Sequence, residues 1–73
     1  NKVEALEFCV SELSPVVGVP LKDLRLKENL LICCINRKGM IITPGGQDVI
    51  EVGDTVVVVT TNTGFHDLQD ILK

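Results

Sequence analysis

Leu30-Leu31-Ile32-Cys33-Cys34-Ile35-Asn36-Arg37-Lys38-Gly39-Met40-Ile41-Ile42-Thr43 is the stretch that decides the fold. A continuous apolar run from Leu30 to Ile35 meets a polar cluster, and a second short apolar run follows. Gly39 closes that cluster and accepts the positive φ of a tight turn, so the pattern predicts a β-hairpin. Successive strand side chains point to opposite faces, which predicts that the thiols of Cys33 and Cys34 diverge.

Outward from the hairpin, Leu6, Phe8 and Val10 alternate with Glu7, Cys9 and Ser11, predicting a half-buried strand over 5–11. Two prolines and a glycine between Ser14 and Pro20 make a loop. Leu21 and Leu24 are then spaced for a short amphipathic helix beginning near Pro20. Beyond the hairpin, Pro44-Gly45-Gly46 ends the second arm, Gln47–Val52 reads as a short extended stretch, and Gly53-Asp54 turns the chain into Thr55-Val56-Val57-Val58-Val59-Thr60-Thr61. That last run is rich in β-branched residues and predicts a strand. Phe65, Leu68, Ile71 and Leu72 recur at helical spacing, with Asn62 or Thr63 as cap and Asp67 near the positive helix end. The fold class is therefore α+β, a small β-α-β-β-β-α domain with a mostly antiparallel sheet partly covered by helices.

At 73 residues this is one domain, small enough that a single core leaves it marginal. The usual supports are disulfides, a metal or a partner subunit. Three cysteines, two of them adjacent, make a poor disulfide framework and fit a reducing compartment. A lone His66 completes no zinc set, so no metal is expected. Association remains, and 45% hydrophobic residues favour it. Strands apolar on both faces at Leu30–Ile35 and Val56–Val59 need cover on both sides of the sheet, more than two short helices supply. A homodimer follows, with Val16, Val17, Leu30, Ile32 and Met40 as candidate interface formers.

A net charge of −3 and two aromatics, Phe8 and Phe65, oppose a nucleic-acid footprint. No apolar run is long enough to cross a bilayer and no signal peptide is evident. The opening Asn1-Lys2-Val3-Glu4 without Met reads as a segment of a longer protein. No nucleophile, base and orienting group come together around Ser11, Ser14 or His66, so no catalytic residues are assigned. Asp54 after Gly53 reads as an acceptor of local backbone N–H bonds, and Arg37 as a partner for a carboxylate across the sheet.

Ser14 and Gly18 ahead of Leu21-x-x-Leu24-x-Leu26, the strand ending Ile35-x-Arg37-x-Gly39, Pro44-Gly45-Gly46 and Val52-Gly53-Asp54-x-Val56-Val57-Val58 together resemble the TrkA C-terminal domain, the C-terminal lobe of RCK (regulator of potassium conductance) proteins. The resemblance covers almost the whole chain. It implies a cytoplasmic, self-pairing module of a potassium uptake system at the inner face of the membrane, attached to a channel or transporter subunit through the full-length protein. NAD or ATP would belong to a separate nucleotide-binding lobe carrying G-x-G-x-x-G. That motif is absent here, and Gly45-Gly46 reads as a turn.

Some members of the family bind cyclic di-AMP in a cleft at the dimer interface. Their motif places an Asp and an Arg before an Asn that opens a strand. Asn29 matches the Asn, whereas Arg25 stands for the Asp and Lys27 for the Arg. By the resemblance, Lys27, Asn29 and Pro44 are the candidate effector contacts, and a cyclic dinucleotide the candidate ligand.

Overall fold

A computed structural model describes residues 2–11 and 14–73. Four strands, β1 (Glu4–Cys9), β2 (Leu30–Arg37), β3 (Met40–Ile42) and β4 (Thr55–Thr60), form one antiparallel sheet in the order β1-β4-β2-β3. The valine-rich β4 sits in the middle, pairing along its length with β1 (Glu4 opposite Thr60, Cys9 opposite Thr55) and with β2 (Leu30 opposite Thr60, Asn36 opposite Thr55).

The predicted hairpin is present. Lys38 and Gly39 form its two-residue turn, both left-handed at φ 53° and 84°, the conformation whose twist matches flanking antiparallel strands. A Cβ on Gly39 would meet nothing within 4 Å, so its constraint is purely the backbone angle. Gly39→Ala is expected to destabilise the domain by about 1 kcal/mol. That lowers the midpoint of thermal unfolding by about 4–8 °C for a domain of this size, readable by calorimetry.

One face of the sheet carries the core. Val56 and Val58 of β4, Ile32 and Ile35 of β2, and Val10, Val16, Ile50, Leu68 and Ile71 from the flanking segments are buried together. Phe8, Leu21, Leu24, Leu26, Leu30, Ile42, Phe65 and Leu72 pack around them. The opposite face, with Ala5, Glu7 and Cys9 of β1, Leu31 of β2 and Ile41 of β3 all exposed, carries no covering element among the described residues.

The sheet conforms to the expected α+β plan but the helices do not. Only two 3₁₀ turns form among the described residues, at Leu21–Asp23 and Leu68–Ile71. Leu24 is already extended and ends the first. The expected closing helix over 63–73 is broken at both ends: Gly64 takes φ +81°, and Leu72 is drawn into an antiparallel bridge with Leu26. Asp67, not Asn62 or Thr63, caps the surviving turn, exchanging bonds reciprocally with Asp70. The stretch at Gln47–Val52 contributes a single parallel bridge, Ile50 to Val17.

Candidate functional site

A β-bulge lies between Ile32 and Cys34, where β2 has one residue more than β4 opposes. Its effect is legible in burial along the strand: Ile32 and Ile35 are both buried although three apart, while Cys33 is exposed and Cys34 half-buried. The alternation slips by one residue, so both thiols project from the bare face. The expectation that they diverge is thus corrected, the extra residue being the cause. Burial, then the neighbouring Cys33, then Glu7 push the Cys34 thiol up from its ordinary value.

Ahead of the bulge, the register with β4 sets which backbone groups face away from it. Thr61 donates its N–H to the Asn29 carbonyl at 3.2 Å, so Asn29 turns its backbone toward β4. By the alternation of an antiparallel ladder Leu31 does the same, while Leu30 and Ile32 turn their N–H and C=O groups outward. β3 pairs only with Ile35, Asn36 and Arg37. The outward groups of Leu30 and Ile32 therefore form an unpaired edge among the described residues, the kind of template that recruits another strand. A groove of about 230 Å³ runs beside it, walled by Leu21, Lys22, Leu26, Pro44 and Gly46.

The candidate effector residues do not converge. Pro44 lines this groove. Asn29, left-handed at φ 63°, borders a separate open hollow of about 290 Å³ with Val3, Leu31, Val59 and Thr61. Lys27 is occupied locally: its Nζ donates to the Asp70 carbonyl at 2.6 Å and lies 5.1 Å from the centre of the Phe65 ring, a cation–π contact. Of the candidate interface residues, Val16 and Ile32 are spent in the monomer's own core at 0% and 8% exposure. Val17 and Leu30 are half-buried, and Met40 is 70% exposed at the hairpin tip. What Leu30 and Ile32 offer a partner is backbone; the exposed side chain between them is Leu31, at 64%.

The strongest polar constellation is structural. Arg37 at the end of β2 grips Asp54 with two parallel bonds, Nε to Oδ1 and Nη2 to Oδ2, each 2.9 Å, the bidentate geometry that guanidinium and carboxylate share. Nη2 also donates to the Val49 carbonyl at 2.9 Å, and Nη1 lies 3.3 Å from Glu51 Oε2. Asp54, 1% exposed, accepts the Glu51 N–H at 2.9 Å, as its position after Gly53 predicted. The Arg37 guanidinium is the main reason the Asp54 carboxyl sits below its usual range, with the Glu51 amide assisting against burial. Near the C-terminus the Asp70 carboxylate takes N–H bonds from His66 and Asp67, which lower its pKa.

Missed from sequence were the unpaired edge and the paired thiols. The signal for the thiols was the even apolarity of Leu30–Ile35, whose two phases overlap at the bulge. Among the described residues no three His, Cys, Asp or Glu side chains gather as metal ligands, and no helix is long and apolar enough to cross a membrane.

Fold and site together define a small antiparallel-sheet domain in which β2 runs unpaired beyond the end of β3 and, among the described residues, one face of the sheet is bare. The chain belongs to the TrkA-C domain family, which matches residues 5–73. It is 34% identical over 71 residues to the Trk system potassium uptake protein trkA homolog 1 of Methanosarcina mazei, covering 97% of this chain and 18% of that protein. It is 37% identical over 71 residues to the Trk system potassium uptake protein TrkA homolog of Archaeoglobus fulgidus, covering 97% and 16%. More distantly, it is 26% identical over 70 residues to the K(+)/H(+) antiporter NhaP2 of Shewanella oneidensis, covering 96% and 12%. The chain thus spans less than a fifth of each of these relatives.

Proposed function

We propose that this chain is a non-catalytic, cytoplasmic regulatory and dimerisation module of a potassium uptake system, sited at the inner face of the membrane as part of a peripheral subunit. The unpaired edge of β2 carries this reading. Two copies meet antiparallel about a two-fold axis at Leu31, so that the outward groups of Leu30 in one copy bond those of Ile32 in the other. The segment from Asn29 to Asn36 carries no charge, so no like charges oppose each other across the junction.

The groove holding Pro44 then becomes a cleft shared by the two copies, and a small effector, a cyclic dinucleotide being the candidate, sits there. Binding favours one arrangement of the pair over another, and that difference is what the membrane subunit receives. NAD or ATP acts in a separate nucleotide-binding lobe of the full-length protein. The likeness to the NhaP2 antiporter favours a second reading, the same module serving a cation/proton antiporter.

Light scattering at micromolar concentration tests the pairing: the expected species is a dimer, and a monomer throughout would overturn it. Leu31→Glu, placing like charges at the axis, is expected to weaken the dimer at least tenfold, because directly opposed like charges repel. The monomeric variant should remain folded by circular dichroism, with a melting temperature below that of wild type by the stability that association contributes. Thermal shift with cyclic dinucleotides tests the effector: a rise that grows with ligand concentration supports it, and indifference assigns the module to dimerisation alone.

A further inference from the structure

We propose that Cys33 and Cys34 form a vicinal dithiol site on the bare face of the sheet that chelates a soft, thiophilic centre, with trivalent organoarsenicals as the matching chemical class. The bulge creates the site. In a regular strand, adjacent side chains are on opposite faces, whereas here Ile32 and Ile35 are both buried and the two residues between them share the other side. Cys33 is exposed and Cys34 half-buried, so a small reagent reaches both. Cys33 adds, after burial, to the rise in the Cys34 pKa, in keeping with the two thiols sharing this side of the sheet.

Closing these sulfurs directly is unfavourable. Adjacent Cα atoms across a trans peptide are about 3.8 Å apart, whereas disulfides span about 4.4–6.8 Å. An atom inserted between the sulfurs, with longer bonds than S–S, relieves that mismatch. Zinc asks for four ligands, and no third metal-ligating side chain gathers here among the described residues. Cys9 projects from the same face but on β1, with its sulfur 3.9 Å from Thr55 Oγ1. It is separated from β2 by the full width of β4, roughly 10 Å between strand axes.

An organoarsenoxide, R–As=O, meets these requirements without a redox step. Two As–S bonds form, two S–H bonds break, and both protons leave with the arsenic-bound oxygen as one water; arsenic stays trivalent.

Phenylarsine oxide is the probe. The intact-mass spectrum should show one adduct per chain, and thiols free to react with an aromatic disulfide reagent should fall from three to one. Cys9→Ser should leave the adduct unchanged. Cys33→Ser and Cys34→Ser should each weaken it by about a hundredfold, the lower end of the gain from a second, intramolecular attachment. A dithiol competitor should strip the adduct where a monothiol at equal concentration does not. An adduct that depends on Cys9, one that links two chains, or one equally weak in all three serine variants would overturn the proposal. The serine changes lie at an exposed and a half-exposed position, and unchanged circular dichroism certifies that each variant is folded.

Discussion

Asp54→Ala is expected to cost about 3 kcal/mol, the lower end of what breaking a buried ion pair costs, because Arg37 retains some access to water. For a domain of this size that is a fall of about 15 °C in melting temperature. The loss is large because Asp54 satisfies four needs at once: two guanidinium bonds, the Glu51 amide, and the shape of the turn that feeds β4. Arg37→Lys should lose most of what Arg37→Ala loses, since an ammonium cannot reproduce a fork that also reaches Val49. The result that contradicts this account is an Asp54→Ala protein melting within a few degrees of wild type.

The same pair sets the response to acid. The folded-state pKa of Asp54 is depressed, against about 3.9 in the unfolded chain. Its contribution is therefore fully present above that unfolded value and disappears as pH falls below it through the folded one. Asp70 is shifted the same way. Asp54→Asn should accordingly flatten the fall of the urea midpoint below pH 4 without abolishing it, as urea titrations at stepped pH would read. An unchanged acid slope would remove Asp54 from the explanation.

Ile35→Ala is the second large effect, about 3–4 kcal/mol within the range measured for such core truncations. Ile35 is fully buried and faces Val56 on one side and Ile42 on the other, so the cavity opens where three strands meet and none can collapse without shearing its neighbour. Typical per-residue stabilities give a domain of this length roughly 4–11 kcal/mol in all, and the variant should be partly unfolded at physiological temperature. Ile41→Ala, on the bare face, serves as the contrast and should change the melting temperature by no more than a few degrees. Equal losses from the two would mean that the bare face is covered in the monomer.

The strands were legible because their chemistry is local. Alternation over Leu6, Phe8 and Val10, the valine run of β4 and the Lys38-Gly39 turn each specify conformation without help from distant residues. The Arg37–Asp54 pair was half legible: Gly53-Asp54 announced a turn carboxylate, and the arginine at the strand end needed a partner. The closing helix was misread because Phe65, Leu68, Ile71 and Leu72 satisfy a helical period and a core contact equally well. What decides between them is the bridge from Leu72 to Leu26, 46 residues back in the chain. The open edge was illegible for a related reason: Pro44-Gly45-Gly46 marks where the second arm ends, but not that the arm is too short to cover β2 as far as Leu30.

The extra residue in β2 is a half-period dislocation in a wave of period two. Elsewhere in the sheet, gaining or losing one residue inverts everything downstream, throwing core residues into water. At Cys33-Cys34 the extra residue is already absorbed by the bulge, so removing either cysteine would leave Ile32 and Ile35 two apart, restore a single phase and keep Leu31 and Ile32 on their present faces. Losing one residue is therefore tolerable at this point of the strand, whereas anywhere else along it the same loss would turn the core outward.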